Sequence, residues 1–126
     1  MPNIYIKKTT KTPEVSLNVD LGEFKLAGRS ITENPKDFYE PILHELERYA
    51  LSPLKNSLLE LYFEYLSTTS SIYIMRIMAA VKKIGDNGYD IAIVIKYEDD
   101  DPDMLDKFQA MSQIVKVDAV YTPITV

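Results

Sequence analysis

The sequence predicts a small α/β domain: a single-layer mixed β-sheet with helices mainly on one face, built from a hairpin followed by two strand–helix–strand units. Three observations lead there. The 126 residues are one domain's worth of chain, read here as a single domain over 1–126. Segments of period two alternate with segments of period 3.6. A short hairpin precedes the alternation, and right-handed crossovers then stack the helices on one side of the sheet.

Each element has a local reason. Ile4 and Ile6 suit a short strand, which Thr9 to Pro13 breaks. Val15, Leu17 and Val19 alternate, Asp20-Leu21-Gly22 makes a turn, and Phe24, Leu26 and Ala27 continue, a hairpin over about 14–29. Asn34-Pro35 predicts a helix start, with Asn as cap and Pro in the first turn, where Asp37 suits the dipole. Phe38, Ile42, Leu46 and Tyr49 form one helical face, and Pro41 interrupts it. Residues 57–66 read as a half-exposed or edge strand, with Leu59, Leu61, Phe63 and Tyr65 on one side and Glu60, Tyr62 and Glu64 on the other.

The helix after Ser67–Ser71 is apolar nearly all round, through Ile72, Met75, Ile77, Met78, Val81 and Ile84, and stops at Gly85-Asp86-Asn87-Gly88. It is deeply buried or leaves an apolar strip for a partner. Residues 90–97 are apolar on both faces and predict a central strand. Asp101-Pro102 opens a last helix carrying Met104, Leu105, Phe108 and Met111, and residues 115–121 end as a strand or an extended tail.

Composition narrows function by exclusion. With no cysteine there is no disulfide, thiolate metal site or thiol nucleophile. The lone His44 cannot build a multi-histidine centre and reads as an ordinary helical residue. Nineteen acidic against 14 basic residues leave a net charge of −5, which argues against nucleic acid or an anionic membrane as partner. No run approaches the roughly 20 apolar residues of a membrane span. The first 20 residues lack the apolar core of a secretory leader, so the expected location is cytoplasmic. No phosphate-binding loop, nucleophile elbow or acid–base pair is present, so no catalytic residue and no cofactor is expected.

Two segments carry possible chemistry. Residues 98–106 hold six carboxylates (Glu98, Asp99, Asp100, Asp101, Asp103, Asp106) without the spacing or central glycine of a calcium loop. They read as a solvated loop with Asp101 as helix cap, as a partner-facing acidic patch, or as a weak cation site. Tyr65-Leu66-Ser67-Thr68-Thr69-Ser70-Ser71 places five consecutive hydroxyls where a strand hands over to a helix. One would serve as the cap; the surplus is structural or marks phosphorylation or anion contact at a helix N-terminus.

At these residues the chain resembles the SiaC family of small bacterial regulatory phosphoproteins. Thr12-Pro13-Glu14-Val15 looks like the family's T-P-x-V, and Gly28-Arg29-Ser30 through Glu33-Asn34 like its G-x-S-x-x-E-N. Phe38-Tyr39-Glu40-Pro41-Ile42 is similar to F-Y-x-P-I, which makes Pro41 a family feature. Tyr65 to Ser70 looks like Y-[FL]-N-T-S-S, with Ser67 in place of Asn and Thr69 in place of Ser. Tyr97 to Asp101 with Asp103-Met104-Leu105 resembles the acidic Y-x-E-D-D-x-D-M stretch, and Lys107-Phe108-Gln109 replaces the usual G-E after it.

The resemblance implies a fold like the anti-sigma-factor antagonist (STAS) domain and no catalysis. It implies reversible phosphorylation at Thr68, with Thr69 and Ser70 as fallbacks, by a Ser/Thr kinase and a phosphatase. The unphosphorylated form would bind and activate a diguanylate cyclase, raising cyclic-di-GMP and favouring biofilm. Tyr65, Leu66, Ser67, Thr69, Ser70, Glu33, Asn34, Asp99 and Asp100 would face partners. Partner switching on an anti-sigma factor, or metal binding by the acidic loop, are the competing readings.

Overall fold

The computed structural model describes residues 3–125. Its elements are β1 (Ile4–Ile6), β2 (Glu14–Asn18), β3 (Glu23–Ser30), α1 (Pro35–Ala50), β4 (Asn56–Leu66), α2 (Thr68–Asp86), β5 (Asp90–Glu98), α3 (Pro102–Val115) and β6 (Val120–Ile124). The strands form one sheet in the order β1-β2-β3-β4-β5-β6. β1, β2 and β3 pair antiparallel; β3, β4, β5 and β6 pair parallel. The mixed sheet follows the expectation, and the 115–121 segment resolves it further. Val115 ends α3 and residues 116–119 are not strand, while Val120 and Tyr121 begin β6, which pairs with β5, so β5–α3–β6 is a third strand–helix–strand unit.

Each strand after β3 is added on the same side of its predecessor, so right-handed crossovers put all three helices on one face. That face holds the core: Leu26, Leu59, Leu61, Phe63, Ile93 and Ile95 from the sheet meet Ile42, Leu46, Ile74, Ile77, Val81 and Phe108 from the helices, all at most 2% exposed. Burying each such side chain is worth about 1.5–3 kcal/mol. The other face is open. There Lys25 pairs with Glu14 at 3.7 Å and Lys96 with Glu60 at 3.1 Å.

The open face decides between the two readings of β4: the strand is half-exposed and is not an edge. Its glutamates are solvated because no helix covers that side, although the strand lies inside the sheet between β3 and β5. β5 is interior, as expected, but its Ala92 is exposed on that same open face.

Two further local expectations change. Asn34 precedes α1, but its side chain caps no backbone N–H; its amide donates to Asp37 Oδ2 at 2.7 Å instead. Pro41 sits inside α1 without ending it, on the solvent side, where the lost hydrogen bond is cheapest. The β2–β3 turn needs its glycine. Gly22 has φ +67°, and a Cβ there would stand 2.7 Å from the Asn56 carbonyl.

Candidate functional site at the carboxyl rim of the sheet

Because β3, β4 and β5 run parallel, the segments after them emerge at one rim. These segments are Ile31–Asn34, Ser67 with the first turn of α2, and Asp99–Asp101. Such a rim is the usual place for a functional site in a parallel sheet. The fold thus collects there the sequence-singled residues Glu33, Asn34, Tyr65, Leu66, Ser67, Thr68, Thr69, Ser70, Asp99 and Asp100.

The end of β4 departs from simple alternation. Gly28 pairs with Phe63 but Arg29 pairs with Tyr65, so β4 carries one extra residue at Glu64. This bulge re-aims the side chains beyond it. Tyr65, expected on the face of Leu59, Leu61 and Phe63, turns outward and is 49% exposed, with the Arg29 guanidinium 5.7 Å from its ring centroid. Leu66 turns inward and is buried, so its side chain is not available to a partner.

The five hydroxyls have five different situations. Ser67 is the cap of α2: its Oγ accepts from the Ser70 N–H at 3.2 Å and lies 3.3 Å from Thr69 Oγ1. The Ser67 carbonyl accepts from the Ser71 hydroxyl at 2.8 Å. Ser70 is fully buried, and its Oγ accepts from Ser30 Oγ at 2.9 Å. Ser70, a fallback acceptor and contact residue in the sequence reading, is therefore closed off from solvent. Thr68 stands at the first helical position, exposed, and its hydroxyl makes no hydrogen bond among the described residues. One turn further along the same face, Ile72 is 53% exposed. The apolar girth of α2 is thus resolved both ways: most of it is core, and Ile72 is left out.

The electrostatics of this helix start are one-sided. Its first turn contains no acidic residue. Unpaired N–H groups and the dipole make it partially positive. From α3, Lys107 donates its ammonium to the Leu66 carbonyl, and burial lowers its pKa from the ordinary 10.5.

The acidic segment is divided. Asp101 Oδ1 caps α3 by accepting from the Met104 N–H at 3.1 Å, as its place before Pro102 predicts. Glu98 accepts from the Tyr62 hydroxyl at 3.1 Å, and Asp99 Oδ2 from the Thr125 hydroxyl at 3.2 Å. Asp99 and Asp100 are exposed. Among the described residues, no three His, Cys, Asp or Glu side chains come together as metal ligands. His44 is exposed on α1.

Sequence reasoning named Ile72 only within the apolar run of α2 and Lys107 only as a departure from the family's acidic stretch, and gave no role to the buried pair Ser30 and Tyr39. Ser30 lies under Ser70 and accepts from the Tyr39 hydroxyl at 2.6 Å. The only signal for that pair was that Ser30 and Tyr39 fall inside the G-x-S and F-Y fragments.

Fold and site together define a small one-sheet α/β domain whose distinctive surface is a hydroxyl-bearing helix start. A family model described as SiaC family regulatory phosphoprotein matches residues 6–122. The chain belongs to the SiaC family, and is a regulatory phosphoprotein rather than an enzyme. Apo-SiaC from Pseudomonas aeruginosa superimposes with a TM-score of 0.83 at 18% identity, covering 97% of this chain and 99% of that one. A chain from the crystal structure of the diguanylate cyclase SiaD in complex with its activator SiaC, from the same organism, gives 0.88 at 17% identity, covering 96% and 99%. No curated protein matches the chain. Among the described residues, no helix is long and apolar enough to cross a membrane.

Proposed function

We propose that this protein is a phosphorylation-switched activator of a diguanylate cyclase, with Thr68 as the modified residue. The observation that carries the reading is the inequality among the five hydroxyls. Thr68 is exposed and its hydroxyl is uncommitted among the described residues, while Ser67 caps α2, Ser70 and Ser71 are buried and hydrogen-bonded, and the exposed Thr69 hydroxyl lies 3.3 Å from Ser67 Oγ. The cyclase as partner rests on family membership and on the likeness to SiaC, which in the related complex is the activator of SiaD.

Unphosphorylated, the rim offers Ile72, Tyr65 and the exposed Asp99 and Asp100 for docking, with Glu33 and Asn34 flanking. A phosphate on Thr68 adds about 1.5–2 negative charges one turn from Ile72. It sits at the positive end of α2, so the domain stays folded and the effect falls on docking. A Ser/Thr kinase and a phosphatase acting in the cytoplasm would set the state, and cyclic-di-GMP output would track it.

The test is intact mass and phosphosite mapping of the protein from its own host, with co-purification of its partner before and after phosphatase treatment. A phosphate on Thr68, and a cyclase recovered with the unphosphorylated form alone, is the expected result. A phosphate confined to another residue, or an anti-sigma factor in place of a cyclase, overturns it.

A further inference from the structure

The core at the rim contains a chain of three buried hydroxyls. Tyr39, Ser30 and Ser70 are all 0% exposed. Ser30 Oγ donates to Ser70 Oγ at 2.9 Å. A hydroxyl has one hydrogen, so the 2.6 Å contact between Ser30 and Tyr39 has Tyr39 as donor. The chain runs from α1, through the last residue of β3, into the first turn of α2. A main-chain bond runs beside it, from the Ser67 N–H to the Ser30 carbonyl at 2.9 Å. Buried hydroxyls give little net stability over apolar residues of the same shape, but they are costly when one partner is removed. A closed chain of them therefore specifies one arrangement more than it adds stability.

α1 has a second buried hydroxyl contact at the opposite end. The Tyr49 hydroxyl lies 2.7 Å from Ser57 Oγ and accepts from the Leu54 N–H at 3.1 Å. The two contacts have the same chemistry, and only the Tyr39 chain reaches the hydroxyl cluster.

We infer that Tyr39 and Ser30 are positioning residues for the modification site: they hold Ser70 inward, keep the first turn of α2 closed around the Ser67 cap, and so confine modification by excluding Ser70. The confinement rests on the reading of Thr68 given above; the closure of the turn does not. Thr69 remains at the surface, its hydroxyl 3.3 Å from Ser67 Oγ in an exposed contact, and the buried chain does not act on it.

Native-state amide hydrogen exchange on the full chain tests this in the wild type, Tyr39→Phe, Ser30→Ala and the control Tyr49→Phe. In Tyr39→Phe and Ser30→Ala, the Ser70 and Ser71 amides should lose protection about tenfold beyond any loss at Leu59 and Leu61. Tyr49→Phe should show no such difference, although its structural cost is alike. Equal losses at all four amides, or the same pattern in Tyr49→Phe, overturns the positioning role. A variant that fails to fold is replaced in the comparison by the other of the pair. Phosphosite mapping is the second arm. In host-expressed Thr68→Ala, Ser70 should stay unmodified, and in Thr68→Ala/Tyr39→Phe it should gain phosphate. If wild-type protein carries no phosphate at Thr68, the switch reading fails, while the exchange arm still decides the closure of the turn. A Ser70 that is modified equally with Tyr39 intact overturns the confinement.

Discussion

Helices α2 and α3 begin at the same rim, each directly after a parallel strand, and they begin differently. α3 brings its own negative charge: Asp101 caps it, Pro102 sets the first turn, and Asp103 lies within that turn. α2 is capped by the neutral Ser67 and has no acid in its first turn, while Lys107 reaches across from α3 to the neighbouring Leu66 carbonyl. A helix start that already carries carboxylates gains nothing from an added anion. One that lacks them can accept a phosphate without loss of fold. The contrast favours the start of α2 over that of α3 for the proposed phosphate, and within the acidic run it makes Asp101 a cap.

The contrast can be broken or sharpened by experiment, beginning with the largest effect. Thr68→Asp should fold and lose affinity for the cyclase. A new charge about 6 Å from a partner carboxylate costs roughly 2–3 kcal/mol at an effective dielectric near 20, about a hundredfold in affinity. Thr68→Ala should keep binding and be insensitive to the kinase. Titration calorimetry on both variants checks this, and wild-type affinity for Thr68→Asp would remove α2's start as the switch.

The two starts also differ in their tie to the core, since only that of α2 reaches a buried tyrosine. Burial pushes the Tyr39 hydroxyl up from the ordinary 10.0 to about 12. Below pH 10 the group is neutral in both folded and unfolded chains, and its contribution is complete. Between pH 10 and 12 the unfolded chain ionises first, and about 2–3 kcal/mol of stability is lost. Tyr39→Phe should flatten this alkaline leg in urea melts taken across that range; Tyr62, also raised to about 12 by burial and then by Glu98, keeps a remainder.

Removing the α3 cap should cost more than adding charge to α2 gains. Asp101→Ala should lower stability by about 1–2 kcal/mol, read by thermal or urea unfolding. Ser67→Asp keeps a good cap and supplies the missing dipole partner, so it should raise stability by about 0.3–1 kcal/mol. A loss there would mean that α2's start has no room for negative charge. The smallest effect belongs to Asp99→Asn/Asp100→Asn. Stability should stay within about 0.5 kcal/mol, because neither is the cap. Cyclase association should slow, as clustered charge acts mainly on encounter. Stopped-flow binding separates the two, and an unfolded double variant would make these residues structural.

Much of this was legible in the residues themselves. Asp101 before Pro102 is a cap wherever a helix comes next, because the bond it makes is three residues long. The alternation of Leu59, Leu61 and Phe63 and the sequence of strand and helix carry the sheet. Thr68 is a different case: the row of hydroxyls offered five candidates, and family resemblance, not periodicity, selected one. Errors fell where distant chain segments meet. Tyr65 and Leu66 exchanged faces because β4 takes one residue more than β3 beside it, and no pattern within β4 announces that count. Glu60 and Glu64 left a half-exposed strand and an edge both open, because a polar stripe looks alike at an edge and on an uncovered face.

By itself the sequence determined the order of strands and helices as far as α3, that a cap with surplus hydroxyls opens α2, and that no thiol or multi-histidine chemistry is available. Those are consequences of short-range geometry and composition. Only the tertiary structure decided which hydroxyl is free. Ser70 is removed by Ser30, 40 positions away, and Leu66 is turned inward by its register with β3. Lys107 is brought to the α2 start by the α3 crossover, across 41 positions. Hydrogen bonds and register act over a few ångströms in space, and the fold sets which residues come that close.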